Sequence, residues 1–228
     1  MEQAKQAAGE QAATLVSDGM VLGLGTGSTT AFALKAIGRR VQEDGLDVSG
    51  VPTSFAAERL ARDAGIPLTT LDDVERLDLA LDGADEVDDD LHLIKGRGAA
   101  HTREKVVASQ AERFIVLADP SKRVPQLGTE RALPVEVLPM AVSPVMRALE
   151  QHGATPELRM GARKDGPVVT DQGFWVIDAT FDDGIAAPDT LNQALCMQPG
   201  VLDHGLFLHL ATDVFIGHPN GRVDRLSR

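Results

Sequence analysis

Hydrophobic residues at the start of the chain fall at helical spacing: Ala4, Ala7, Ala8, Leu15 and Val16 lie near one stripe, and Gly19 suits the end of that helix. The apolar run 20–24 then reads as a strand, and Ala31, Phe32, Leu34 and Ile37 predict a second helix ending before Asp44-Gly45. The unit repeats. An extended segment near 48–52 leads to a helix over 55–64 stopped by Gly65, and the run 77–81 predicts another strand. Beyond a polar loop at 82–98 come a helix near 100–110 and the apolar strand 114–118. Strands alternating with helices argue for a mostly parallel sheet with helices on its faces, so this half reads as doubly wound α/β.

From about residue 130 the pattern changes. A short strand near 133–137 precedes Ser143-Pro144, a cap and first-turn pair opening a helix that Gly153 closes. Turn signals at 164–167 and 171–173 bracket extended segments that include Trp175, Val176 and Ile177, and a helix follows near 190–196. This strand-helix-strand-helix group predicts a smaller α+β domain inserted at 130–205, ferredoxin-like in type, between catalytic segments 1–129 and 206–228. Runs at 206–210 and 214–217 read as strands that rejoin the first sheet, with Pro219-Asn220-Gly221 as a turn.

Composition narrows the function. Lys and Arg number 22 against 34 Asp and Glu, and the net charge of −12 disfavours nonspecific attraction to nucleic acid or to an anionic membrane. An anionic ligand would therefore need a local positive site. No apolar run approaches the roughly 20 residues that span a bilayer, and the first helix is polar rather than a signal peptide. The single cysteine, Cys196, excludes an intrachain disulfide and a thiol cluster for zinc. A cytoplasmic location is the simplest expectation.

In an open parallel sheet, ligands bind beyond the carboxyl ends of the strands. Three polar loops leave predicted strands in that sense: 25–29, 82–98 and 119–122. The first contains Thr26, Gly27, Ser28 and Thr29 and offers backbone amides, hydroxyls and a helix N-terminus, which suits a phosphate or an oxyanion; a plain tight turn is the alternative. It is neither a dinucleotide fingerprint nor a P-loop. The second opens with Asp82, Gly83, Ala84 and Asp85, carboxylates immediately after an apolar strand, whereas Asp88 to Asp90 read as a solvated acidic turn. Its spacing does not match a calcium loop. Lys95, Gly96, Arg97 and Gly98 form a glycine-flexed basic turn, Glu104 stands near the start of the next helix, and Lys122 is a further cation. Read alone, each has a bland reading as surface polarity or helix-dipole compensation. No histidine spacing suits a metal and no serine sits in a nucleophile elbow, so metal hydrolysis and acyl transfer drop out.

Taken in order, Gly25-Thr26-Gly27-Ser28-Thr29, Asp82-Gly83-Ala84-Asp85-Glu86, Lys95-Gly96-Arg97-Gly98 with Thr102-Arg103-Glu104-Lys105, Ser121-Lys122 and Leu133-Pro134-Val135-Glu136-Val137 resemble type A ribose-5-phosphate isomerase, nearly end to end. Pro199-Gly200-Val201 and Gly205-Leu206-Phe207 extend the match. The resemblance implies a Rossmann-like catalytic domain with an inserted α+β domain, no metal or organic cofactor, and a homodimer or homotetramer. It implies an aldose-ketose isomerase of the non-oxidative pentose phosphate pathway that binds a small sugar phosphate. Substrate contacts map onto Thr26 to Thr29, Asp82 to Asp85, Lys95 to Gly98 and Lys122, with Lys5 as an additional basic contact. The proton acceptor maps onto Glu104, and Asp82, Asp85 and Lys95 assist it. Arg97 stands where the family usually has glycine, and His101 where an aliphatic residue is usual. Rival readings are a Glu-based amino-sugar-phosphate deaminase or CoA transferase, and a noncatalytic sugar-phosphate sensor.

Overall fold

The computed structural model describes residues 1–228. In chain order its elements are α1 (Glu2–Ala13), β1 (Val21–Leu24), α2 (Thr30–Glu43), β2 (Ser49–Pro52), α3 (Phe55–Asp63), β3 (Leu77–Gly83), β4 (Glu86–Val87), β5 (Leu93–Ile94), α4 (His101–Ser109) and β6 (Ala111–Ala118). Then come β7 (Leu133–Val137), α5 (Val142–Gln151), β8 (Thr155–Leu158), β9 (Trp175–Thr180), α6 (Pro188–Met197), β10 (Val201–His204), β11 (Leu206–Phe207), β12 (Asp213–Gly217) and β13 (Val223–Ser227). The chain divides into two compact units, the first comprising Met1–Ala84, Arg103–Arg123 and His209–Arg228, the second Asp85–Thr102 and Val124–Leu208.

The first unit holds a six-stranded sheet in the order β13-β12-β6-β3-β1-β2, parallel except for the antiparallel edge strand β13. Parallel strands are covered on both faces, so β6 holds the unbroken apolar run Phe114 to Ala118, and β3 holds Leu79, Ala80 and Leu81 in succession. Their side chains Leu79, Leu81, Ile115 and Leu117 pack with Leu22, Leu24, Leu34, Ile37 and Phe215 in one core, and Ala8 and Ala12 of α1 join it. The small residues of α1 let this helix lie close to β12: a Cβ on Gly217 would stand 1.9 Å from the carbonyl oxygen of Ala4.

β12 also starts with a buried charge. Asp213 is 3% exposed and accepts from Arg225 Nε at 2.6 Å, Ser227 Oγ at 2.9 Å, Arg113 Nη2 at 3.1 Å and Thr212 Oγ1 at 3.0 Å. Burial alone would raise this carboxyl, but the bonds from Arg225, Ser227, Arg113 and Thr212 outweigh it and hold the group below its ordinary 3.8. A depressed folded-state value contributes stability that is complete above the unfolded value and fades as pH falls through the folded one. Asp213→Asn is therefore expected to lower stability by about 2 kcal/mol at pH 7. In thermal melts the gap from the wild type should close as pH drops below 3.8; a gap independent of pH would count against this account.

The second unit is built on β7-α5-β8-β9-α6-β10, whose antiparallel sheet has the order β10-β7-β9-β8. This is the split β-α-β arrangement of ferredoxin-like domains. Leu133, Val135, Val137, Ile177 and Ala179 face Val145, Leu149, Leu191 and Leu195 of its two helices. A three-stranded sheet β11-β5-β4 belongs to the same unit. Packing thus draws Asp85–Thr102 in with Val124–Leu208, whereas the boundaries expected near residues 130 and 205 follow chain order alone.

Three local expectations are corrected. The run 206–210 does not rejoin the large sheet: Leu206 and Phe207 pair with Ile94 and Leu93. The tail instead gains β13, an edge strand whose Asp224 and Arg225 disguised it in the sequence. Ser143 does not cap α5, which already begins at Val142 after a 3₁₀ turn at Pro139–Ala141.

Candidate active site

The carboxyl ends of β1, β3 and β6 lie along one edge of the first unit's sheet, because the three strands are parallel neighbours. That edge collects most of the candidate residues of this unit. At the end of β3, Asp82 is 3% exposed, and its Oδ1 accepts from the amides of Thr26 at 3.0 Å and Gly83 at 2.7 Å. Gly25 has to be glycine for this approach, since a Cβ there would stand 2.3 Å from the Asp82 carboxyl carbon. The acid thereby fixes the start of the loop that carries Thr26, Gly27, Ser28 and Thr29 ahead of α2. The Thr26 hydroxyl contacts Thr53 Oγ1 at 3.0 Å and Ser54 Oγ at 2.6 Å, and Ser54 in turn accepts from the Ala57 amide as the N-cap of α3. Lys5 of α1 donates to Ser28 Oγ at 2.9 Å.

Glu104, 7% exposed, stands in the first turn of α4. Two contacts pin that helix at the ends of β1 and β2: the Val107 side chain lies against Gly23, where a Cβ would stand 2.6 Å from Val107 Cγ1, and Arg103 Nη2 donates to the Pro52 carbonyl at 3.4 Å. After β6, Asp119 caps the turn Pro120–Lys122 by accepting from the Ser121 amide at 3.0 Å, which places Lys122 beyond the strand's carboxyl end. In the first unit, hydrogen bonds thus join Asp82 to Thr26 and Gly83, and Lys5 to Ser28; Ala84 follows directly from β3, Glu104 stands on α4, and Lys122 follows β6.

The remaining candidates belong to the second unit. Asp85 Oδ2 accepts from the Arg97 amide at 3.0 Å, so the acid braces the basic turn Lys95, Gly96, Arg97 and Gly98. Lys95 is 3% exposed, its amide donates to the Gly205 carbonyl at 2.9 Å, and its ammonium lies 5.4 Å from the centre of the Phe207 ring. An ammonium near an aromatic face is attracted by the ring's quadrupole. Beneath the turn lies His101, fully buried, whose Nε2 is 4.0 Å from the carboxylate of the equally buried Glu136. Burial pushes the Glu136 carboxyl up, against the pull of the hydroxyls of Thr102 and Thr170 that donate to it. Arg159 reaches the carbonyls of Gly96 and Arg97 at 3.0 Å each.

Thr53 and Ser54, which contact the Thr26 hydroxyl, are not among the residues that the sequence singles out, although they follow β2 just as the other loops follow their strands. In the sequence Glu136 stands out only as part of Leu133-Pro134-Val135-Glu136-Val137, and nothing marks Arg159, which lies 63 positions from Gly96. Asp88, Asp90 and His92 bring ligand atoms within 4.8 Å of one another. Asp88 Oδ1 accepts the amides of Asp90 and His92 at 3.0 and 2.8 Å, which explains the cluster as a turn that caps itself.

The first unit offers a buried carboxylate, a second carboxylate ordered by amides, hydroxyls, and the cations Lys5 and Lys122; the second offers a buried ammonium and a glycine-flexed basic turn. These are the parts needed for proton transfer on a phosphorylated carbonyl compound. A family model described as Ribose 5-phosphate isomerase A (phosphoriboisomerase A) matches residues 49–221. The chain is 56% identical over 218 residues to ribose-5-phosphate isomerase A of Thermosynechococcus vestitus, covering 95% of this chain and 92% of that protein. The solved ribose 5-phosphate isomerase A of Methanocaldococcus jannaschii superposes with a TM-score of 0.95 at 44% identity, covering 100% of this chain and 99% of the other. A solved D-ribose-5-phosphate isomerase in complex with phospho-erythronic acid gives a TM-score of 0.96, also at 44% identity and the same coverage. With a family match over most of its length and relatives aligned almost end to end, the chain belongs to the ribose 5-phosphate isomerase A family.

Proposed function

We propose that this enzyme interconverts D-ribose 5-phosphate and D-ribulose 5-phosphate through a cis-enediolate, with Glu104 as the base. The observation that carries the reading is a carboxylate buried to 7% exposure at the carboxyl edge of a parallel sheet, in a chain of this family. Once the sugar ring is open, Glu104 takes the proton from C2, and the C2–H electrons form the C1–C2 double bond as negative charge gathers on O1. The same carboxyl returns the proton to C1 while a proton passes from O2 to O1, leaving the C2 ketone. General-base catalysis typically supplies about 10²- to 10⁴-fold, so the enediolate has to be stabilised as well. Lys95 and the amides of the glycine-rich turns perform that role as preorganised donors, commonly the largest single term in such reactions.

Asp82 and Asp85 assist ring opening and proton movement between the oxygens. Thr26 to Thr29, Gly83, Ala84, Gly96, Arg97, Gly98 and Lys122 bind the polar groups of the sugar phosphate, and no step needs a metal or an organic cofactor. Phospho-erythronic acid, the ligand of the solved relative, carries a carboxylate next to a hydroxylated carbon and so presents two oxygens much as an enediolate does. The sensor and deaminase alternatives gain no comparable support.

A cytoplasmic location, in keeping with the single cysteine, and a homodimer or homotetramer belong to the same reading. Met140 and Met197, 84% and 82% exposed, flank β7 and β10 in the sequence, and Leu202 is exposed on the edge strand β10; exposed apolar side chains of this kind suit a subunit contact. Light scattering on the eluting protein checks the assembly; a monomer at micromolar concentration would end that part of the reading.

The activity is tested by incubating the protein with ribose 5-phosphate in D₂O without added metal and following the products by NMR. Ketose formation with deuterium entering at the exchanged carbon is expected. Saturable binding without turnover would favour the sensor, and ammonia release from an amino-sugar phosphate would favour the deaminase.

A further inference from the structure

Arg159, just past β8, is 16% exposed in its side chain and ties together two parts of the second unit. Its Nε and Nη2 form a two-pronged pair with Asp178 of β9 at 2.7 and 2.5 Å, and its Nη1 donates to the carbonyls of Gly96 and Arg97, 3.0 Å away in each case. A guanidinium is planar and rigid, so seating one edge on a carboxylate fixes where the other edge points. The chain has no cis peptide bond. In a trans peptide the N–H points opposite to the C=O. Drawing the Gly96 and Arg97 carbonyls toward Arg159 therefore turns the amides of Arg97 and Gly98 to the other side. The Arg97 amide follows that direction, donating to Asp85 Oδ2 at 3.0 Å. On the floor of the turn, His101 leaves so little room that a Cβ on Gly96 would stand 2.7 Å from its Nδ1.

We infer that Arg159, oriented by Asp178, is a positioning residue for the isomerisation: with the Arg97 amide held by Asp85, it aims the Gly98 amide of the Lys95-Gly96-Arg97-Gly98 turn at the oxyanion that develops in the enediolate. The inference rests on the isomerase reading given above. It assigns Arg159 no contact with the substrate. Its effect falls on the transition state because a hydrogen-bond donor displaced by about 1 Å can cost about 10²-fold in rate while the ground state is held elsewhere.

The test compares Arg159→Met, Arg159→Lys, Asp178→Asn and the Arg159→Met/Asp178→Asn double variant by steady-state kinetics, inhibition by phospho-erythronic acid and melting temperature. Arg159→Met should lower kcat about 10²-fold, move KM for ribose 5-phosphate by less than about threefold, and weaken inhibition by phospho-erythronic acid in step with kcat. Arg159→Lys, which keeps the charge and can hold one carbonyl, should regain roughly tenfold, and the double variant should be no worse than Arg159→Met because both residues act through one clamp. A kcat within about threefold of the wild type in Arg159→Met, or a loss confined to KM, would overturn the inference. So would a loss that tracks only the folded fraction. Should Arg159→Met not fold, Arg159→Lys and Asp178→Asn decide by the same split between kcat and KM. A wild-type protein that neither turns over ribose 5-phosphate nor binds the analogue fails at the isomerase reading itself, and the inference falls with it.

Discussion

Glu104→Gln is expected to lower kcat on ribose 5-phosphate by about 10³-fold, near the middle of the range for losing a positioned general base. The amide has nearly the shape of the carboxyl and keeps one oxygen as an acceptor, so packing in the first turn of α4 should survive. That helix is held by Val107 against Gly23 and by Arg103 on the Pro52 carbonyl, contacts the substitution does not touch. Basicity is what disappears. KM should therefore change little, and deuterium incorporation from D₂O should fall in parallel with turnover. Circular dichroism and melting temperature check that the variant is folded, and a kcat within about fivefold of the wild type would remove Glu104 from its assigned role.

Gly217→Ala carries the largest expected structural effect. The added Cβ would stand 1.9 Å from the Ala4 carbonyl oxygen, 2.9 Å from its carbon and 3.0 Å from the Ala8 nitrogen. All three are backbone atoms, so no side-chain rotation relieves the clash and α1 has to lift from β12. Overpacking of this kind costs about 3 kcal/mol. For a chain of this size the melting temperature should fall by about 6 to 12 °C. The urea midpoint should fall with little change in slope, since the same surface is exposed on unfolding. α1 also carries Lys5, bonded to Ser28, so a partial loss of substrate affinity should accompany the destabilisation. A variant that melts within about 2 °C of the wild type would mean that α1 does not lie against β12.

Most of the large sheet was legible because β1, β3 and β6 hold apolar runs separated by helices of clear period, whereas the charged β13 was not. β4 and β5 were hidden inside what read as one polar loop, since two residues each, Glu86–Val87 and Leu93–Ile94, are too short to show any period. The site divides in the same way. Thr26 to Thr29, Asp82 and Lys122 were visible as polar residues directly after strands, a local signal. Glu104 was not: one carboxylate on a helix looks like any other, and only the resemblance to a family singled it out. The clamp from Arg159 and Asp178 and the buried Glu136 beneath His101 depend on chain segments brought together by folding, and no spacing in the sequence encodes them.

The first unit's sheet runs β13-β12-β6-β3-β1-β2, so its strands β6 and β12 are adjacent in space while 94 residues lie between Ala118 and Asp213 in the sequence. During synthesis, residues 124–208 leave the ribosome in between and can build the four-stranded sheet β10-β7-β9-β8, whereas β6 waits with one edge open until β12, Asp213–Gly217, emerges. That waiting edge is Phe114 to Ala118, the most apolar stretch of the sheet, and an unpaired apolar edge is a template for pairing with another chain. Nascent chains stalled short of residue 213 should accordingly be aggregation-prone, because β12 is the strand that closes this edge.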